Sequence, residues 1–308
     1  MTNTARNHGG GVDAACAVYG GDRASWADLS TGINPVPYTF RGIPADAWSA
    51  LPDHDASNRL SSAARRFWRV PAGADVLAVP GLSCAIARIP GLHPAGNVTI
   101  AEPTYNEHAA AFTAHGWSVN AGDDALARVV VNPNNPDGRL WSGHELRSPS
   151  KLLTIIDESF CDACPEQSLM DMATSPGTLV LKSFGKFWGL AGLRLGFVIG
   201  DPSFVAQLRE NLGPWPLSGP ALFIGATALE DQVWANSTQK RLVTDAARLD
   251  NSLSAAGAKV IGGTSLFRLY DVRDAEKWQV KLAKHRIWSR VFPYNKSWLR
   301  LGIPHPMH

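Results

Sequence analysis

The chain has 308 residues, 45% of them hydrophobic and 18% charged, with a formal net charge of +2. That is enough to bury a sizeable core in one or two domains, and the near-neutral balance argues against a nucleic-acid partner. No apolar run approaches the ~18 residues that a membrane span needs, and the N-terminus lacks the apolar core of a signal peptide, so a cytoplasmic location is expected.

In chain order, His8-Gly-Gly-Gly11 comes first, and a Gly-rich arm with a histidine can wrap an anion through backbone N–H groups. His8, Gly9 and Gly10 are therefore candidate substrate ligands, with Asn34 from Asp28-Leu-Ser-Thr-Gly-Ile-Asn-Pro35. A helix is expected over 57–68. Val76-Leu-Ala-Val-Pro-Gly81 reads as a short strand and a glycine turn, with a helix starting at Leu82 and Ser83. Unpaired N–H groups at such a start favour phosphate, and Ser83 adds a hydroxyl. A strand from Val98 delivers Tyr105, and a helix follows over 106–115. Val129-Val-Val131 is a further apolar strand, running into the Asn/Pro/Gly turn that holds Asn135. Leu152-Leu-Thr-Ile-Ile156 reads as a buried parallel strand. Asp157 stands at its carboxyl end, where open α/β sheets place ligand-binding groups.

Leu179-Val-Leu-Lys-Ser-Phe-Gly-Lys186 carries the most specific signal: an apolar strand, then Ser183 in a small-residue turn, then Lys186, with Arg194 further along the same loop. A lysine that condenses with a carbonyl must be held at a fixed place, while a hydroxyl and a guanidinium nearby can take a dianionic phosphate. The implied cofactor is pyridoxal 5′-phosphate (PLP). Lys182 is the rival amine, but it lies inside the strand and before the serine. Asp157 would face the pyridine nitrogen and keep it protonated. A charge pair at ~4 Å in an effective dielectric of ~20 is worth roughly 4 kcal/mol, against about 1 kcal/mol for a neutral hydrogen bond.

Beyond this loop, helices are expected over 202–211, 221–234 and 240–256, and short strands over 265–270 and 298–303. Strands alternating with helices from about 55 to 200 predict an α/β fold with a mostly parallel, doubly wound sheet. The expected division is an N-terminal arm (1–40) packing with a small C-terminal α+β domain (213–308), and a large cofactor-binding domain between them (41–212). The four cysteines, Cys16, Cys84, Cys161 and Cys164, do not make a disulfide framework. One Cys-x-x-Cys without a second pair, and nine histidines without ligand spacing, give no metal site. His305 and His308 are expected to be solvated in a Pro-rich tail.

Ser183-Phe-Gly-Lys186 followed by Gly192-Leu-Arg-Leu-Gly196 resembles the lysine loop of fold-type-I PLP enzymes, the aspartate aminotransferase superfamily. The resemblance implies that Asn135 contacts the cofactor's ring oxygen and that Tyr105 stacks on the pyridine face. Arg300, in Trp298-Leu-Arg-Leu-Gly302, matches an arginine that anchors the substrate carboxylate, and here it is expected to hold either carboxylate or phosphate. Together with the N-terminal glycines, Leu212-Gly-Pro-Trp-Pro-Leu-Ser-Gly-Pro220 and Gly262-Gly-Thr-Ser-Leu-Phe267 extend the likeness over nearly the whole chain. They resemble the threonine-phosphate decarboxylase branch of cobalamin biosynthesis. That branch implies L-threonine O-3-phosphate as substrate, (R)-1-amino-2-propanol O-2-phosphate as product, and a homodimer. A histidinol-phosphate-type aminotransferase and a PLP-binding module without turnover are the alternatives. Phe160 and Leu51 depart from the wider pattern, since many relatives carry a tyrosine at each position.

Overall fold

A computed structural model describes residues 8–122, 124–147 and 152–307; the first seven residues of the expected arm, and His308, lie outside the described residues. In chain order the strands are β1 (Ala27–Asp28), β2 (Asp75–Val79), β3 (Asn97–Ile100), β4 (Ser118–Val119), β5 (Ala127–Val131), β6 (Leu153–Asp157), β7 (Thr178–Ser183) and β8 (Gly196–Gly200). The remaining strands are β9 (Lys259–Thr264), β10 (Phe267–Asp271), β11 (Ile287–Trp288), β12 (Arg290–Phe292) and β13 (Asn295–Gly302).

Seven strands form the large sheet in the order β2-β8-β7-β6-β5-β3-β4. The pairs from β4 to β7 are parallel, as expected of an α/β sheet, and β8 alone runs against both of its neighbours. β6 is buried along its whole length, the mark of a strand covered on both faces. Successive side chains of β7 go to opposite cores. Leu179 and Leu181 pack with Val79, Ile100 and Phe112, whereas Val180 packs with Leu60, Phe187 and Trp188.

Helices cover these faces. His54–Phe67 starts where Asp53 accepts a hydrogen bond from the Ala56 amide at 2.9 Å, and it buries Leu60, Ala63 and Ala64. Asn106–Ala114 and Pro202–Leu212 lie close to their expected spans. The two helices expected over 221–234 and 240–256 are present as Gly219–Glu230 and Gln232–Ala255, with the boundary between them at Asp231. Asp231 breaks the run, because its carboxylate leaves the first helix and accepts from the Trp234 amide at 2.9 Å to cap the second.

The small sheet is antiparallel, in the order β12-β13-β10-β9, and packs against Gln232–Ala255 and the helix Ala275–Lys284. The N-terminal segment joins this side of the molecule. β1 pairs in parallel with β11, and Trp26 meets Trp288 edge-on at 6.4 Å. Among the described residues no helix is long and apolar enough to cross a membrane.

Strand register gathers the candidate residues. Because β8 is antiparallel, its first residue, Gly196, pairs with Val79 and Ser183 at the ends of β2 and β7. One strand over, Asp157 pairs with Leu181 of β7 and with Val131 of β5. The segments that follow β2, β5, β6 and β7, and the one that precedes β8, therefore meet at one end of the sheet.

Candidate active site

Two adjoining cavities open at that end. The first is lined by Leu82, Ser83, Tyr105, Asn135, Asp157, Ser183, Lys186 and Arg194, together with Gly81, Ser159 and Phe160. The second is lined by His8, Gly9, Thr31, Gly32, Asn106, Arg290, Tyr294 and Arg300. Tyr105, Asn135, Phe160 and Lys186 line both. Lys186 thus stands at the junction, the place from which one amine can reach a group in either chamber.

Hydroxyls and a guanidinium gather around Gly81. The amides of Leu82 and Ser83 open the helix Leu82–Ile86 and have no partner within it. Arg194, held in the left-handed region at φ 52, donates to the Ala191 carbonyl at 2.9 Å. Its guanidinium lies over Gly81, where a Cβ would stand 2.4 Å from Nη2, and Gly81 itself has φ 81. A side chain there would push the guanidinium out of the cradle, and the left-handed backbone itself favours glycine. Two hydroxyls, free amides and a guanidinium suit a phosphate dianion.

Asp157 is buried, yet its carboxyl is held below the ordinary carboxylate range. Burial pushes it up, and this is outweighed by His108, whose Nε2 lies 2.9 Å from Oδ2, and by the Ser159 hydroxyl and amide at 2.6 and 2.9 Å from Oδ1. It is thus a fixed anion in an enclosed place, as a protonated pyridine nitrogen requires. Lys182, the rival amine, is committed elsewhere. It is fully buried with Nζ 2.6 Å from Glu158 and 3.6 Å from Asp162, on the side of the sheet away from both cavities. The pair of neighbours alternates, with Asp157 and Ser183 facing the cavity and Glu158 and Lys182 facing away.

The Lys186 amine is pulled down to about 8, chiefly by burial and then by the positive charge of Arg300. Its Nζ lies 5.6 Å from the ring centroid of Phe160, which packs edge-on against Phe267 at 4.9 Å. The donor set therefore fits PLP: phosphate ligands around Gly81, a buried anion at Asp157, and a depressed amine between them.

In the second cavity Arg300 donates to Asn135 Oδ1 and to the Ser30 carbonyl, the latter at 2.6 Å, and its Nε has no partner. Burial and the nearby Arg290 lower its pKa to about 9. Arg290 and Arg300 stand directly opposite each other across β12 and β13. Like charges at such a pair are destabilising, and an anion between them offsets the cost. His8 reaches Glu107 at 3.0 Å across the mouth.

Two expected substrate ligands are not brought in. The Gly10 amide donates to Ser30 Oγ at 2.6 Å and its carbonyl accepts from Trp288 Nε1 at 2.9 Å. Asn34 is buried away from both cavities, its amide bonded to the Phe187 carbonyl and to Arg241. Conversely, His108, Ser159, Arg290 and Tyr294 were not singled out in the sequence. His108 had a signal, since it lies three residues past Tyr105, on the helix that begins directly after it, and a buried carboxylate needs a partner.

The model for aminotransferase class I and II matches residues 46–307. A threonine-phosphate decarboxylase from Sinorhizobium sp is 40% identical, the match covering 96% of this chain and 92% of the relative. One from Pseudomonas aeruginosa is 38% identical with the same coverage, 96% and 92%. Among solved structures, a histidinol-phosphate aminotransferase from Sinorhizobium meliloti in complex with pyridoxal-5′-phosphate superimposes with a TM-score of 0.82 at 17% identity, covering 99% of this chain and 94% of that one.

Proposed function

The chain belongs to the class I and II aminotransferase family, and from that premise we infer that it is a PLP-dependent carboxy-lyase acting on L-threonine O-3-phosphate, in cobalamin biosynthesis. The observation that carries the reading beyond family membership is the pair of adjoining cavities with Lys186 at their junction and two arginines in the second. A substrate with one amine and two anionic groups matches that arrangement: the amine meets Lys186, and carboxylate and phosphate meet Arg300, Arg290 and the His8-Gly9 arm.

When bound, PLP supplies a carbonyl for amine exchange and a cationic ring that takes up the electron pair released at the substrate Cα. Ser83, Ser183, Arg194 and the amides of Leu82 and Ser83 would hold its phosphate, Asp157 its ring nitrogen, Asn135 its ring oxygen and Tyr105 its face. Lys186 is neutral in a useful fraction near pH 8, so it can act as a nucleophile and afterwards carry a proton. The arginines fix the carboxylate and phosphate, so that the Cα–carboxylate bond breaks, carbon dioxide leaves and the Lys186 ammonium returns a proton to Cα. Phe160 stands 5.6 Å from the amine and is held in place by Phe267.

The test is incubation of the holoenzyme with L-threonine O-3-phosphate, following evolved carbon dioxide and the amine product. Equimolar carbon dioxide and aminopropanol phosphate, with no 2-oxo acid required, is the expected result. Dependence on 2-oxoglutarate with retention of the carboxylate would overturn it in favour of amino transfer. The same proposal includes a cytoplasmic homodimer: Trp48 and Leu51 stand 71% and 68% exposed, and a sedimentation mass of one chain would remove that part. It also keeps the division into an arm, a large domain (41–212) and a small domain (213–308).

A further inference from the structure

We propose that Asn34 and Arg241 are positioning residues for Lys186, an inference that rests on Lys186 being the cofactor lysine. All three carbonyls from Lys186 to Trp188 accept hydrogen bonds from one short segment. The Asn34 amide donates to the Lys186 carbonyl at 3.0 Å, Asn34 Nδ2 to the Phe187 carbonyl at 2.8 Å, and the Tyr38 amide to the Trp188 carbonyl at 2.9 Å. The remaining polar atom of the Asn34 side chain, Oδ1, accepts from Arg241 Nη2 at 2.6 Å and from the Val36 amide at 3.1 Å. Arg241 sits on the helix Gln232–Ala255 and is itself fixed by Asp245, 3.0 Å away, which is buried.

The two segments approach backbone to backbone. A Cβ at Gly189, which has φ 69, would come within 2.7 Å of Pro37 Cα. The loop carrying Lys186 leaves β7 at Ser183 and rejoins the sheet only at Gly196, so its ladder bonds cannot hold it. Asn34 replaces them from outside the sheet. A lysine side chain is long and rotatable, and its amine is placed only as well as its Cα and peptide planes are placed. Arg241 orients the Asn34 amide so that the N–H side, not the oxygen, faces the Phe187 carbonyl. Asn34 is buried and lines neither cavity, which distinguishes this role from anion binding.

The test uses holoenzyme of the wild type, Asn34→Ala, Arg241→Met and the double variant. Four quantities are read: melting temperature, borohydride trapping of PLP on the Lys186 peptide, the pH midpoint of the visible cofactor band, and kcat and KM for threonine phosphate. In Asn34→Ala we expect trapping still at Lys186, a shifted pH midpoint, and kcat per folded molecule down by about 10–100-fold with KM within about threefold. Arg241→Met moves the same quantities in the same direction by less, and the double variant is no worse than Asn34→Ala, since both act through one amide. A merely structural role lowers the melting temperature and leaves the pH midpoint and kcat per folded molecule unchanged, and that result overturns the proposal. So does a double variant whose losses multiply. If Asn34→Ala does not fold, an unchanged midpoint and kcat in Arg241→Met overturns it. Wild-type enzyme that traps no PLP at Lys186 would instead sink the reading on which the proposal stands.

Discussion

Replacing Lys182 with methionine separates the two lysines of the cofactor loop by the work each does. Methionine keeps most of the volume of the stem, so the change is chiefly electrostatic. Lys182 is 1% exposed, with Glu158 at 2.6 Å and Asp162 at 3.6 Å, and removing it strands two buried carboxylates. Breaking a buried pair in this way costs about 3–5 kcal/mol, a large share of the roughly 5–15 kcal/mol that holds a domain together. Glu158 keeps the Ser168 hydroxyl at 2.6 Å and Asp162 keeps the indole N–H groups of Trp68 and Trp188, so the fold loosens but its hydrogen bonds survive. The sign of the pH dependence follows from Asp162. Burial already raises its pKa against the charge of Lys182, and losing that charge raises it further. A carboxyl whose folded pKa exceeds its unfolded value of about 3.9 binds its proton more tightly when folded, and because the wild-type carboxyl is raised too, the deficit grows as pH rises from the wild-type folded pKa to that of the variant, by at most about 1.4 kcal/mol per unit. Urea unfolding followed by tryptophan fluorescence at pH 5 and pH 8 measures both effects. The double variant Lys182→Met/Glu158→Gln, which removes one stranded charge, should recover a substantial part of the loss. A single variant within about 1 kcal/mol of wild type at pH 8, with no improvement in acid, would refute the reasoning.

Three further outcomes are expected. In cofactor-free protein, modification of Lys186 by an amine-directed reagent should rise with pH about a midpoint near 8; Arg300→Met should move the midpoint upward, and a wild-type midpoint near that of a free lysine would contradict the burial argument. His108→Ala takes away a hydrogen bond that holds Asp157 ionised, leaving burial opposed by Ser159 alone so that the pKa rises, and PLP binding by equilibrium dialysis should weaken by about 1.5–3 kcal/mol. Gly81→Ala drives a methyl into the Arg194 guanidinium and forces an alanine into φ 81, so PLP release on dialysis should be faster while Lys186→Ala abolishes borohydride trapping altogether.

Much of the site was legible because buried parallel strands are continuous apolar runs, and the first polar residue after each run marks a sheet end. Asp157 at the end of Leu153–Ile156 follows that rule, whereas Ser183 stands one place beyond the first polar residue after Leu179–Leu181. Lys182 fits it less well: it is a charge inside a strand, and only its partners Glu158 and Asp162 explain its burial. The antiparallel sense of β8 left no mark, since Gly196–Gly200 reads like any buried strand. Arg290 stayed hidden because its relevance arises from pairing with Arg300, which strand register decides. Asn34 was assigned to substrate on its place in a Gly-rich arm, whereas its amide is taken up by a carbonyl of Phe187 and by Arg241, both distant in sequence. The helix break at Asp231 was invisible for a related reason, as apolar spacing continues through it and only the capping bond to Trp234 divides it.

The order β12-β13-β10-β9 places the last strand of the described chain in the interior of its sheet. During synthesis, β9 and β10 can close as a hairpin early, but β12 has no neighbour until β13 emerges, since its only ladder is with that strand. Every residue lining the first cavity lies between Gly81 and Leu195, whereas Arg290 and Arg300 of the second are among the last to leave the ribosome. A polypeptide stopped before Asn295 would keep Arg290 yet lose Arg300 together with the strand that pairs β12, leaving the second cavity with one of its two arginines.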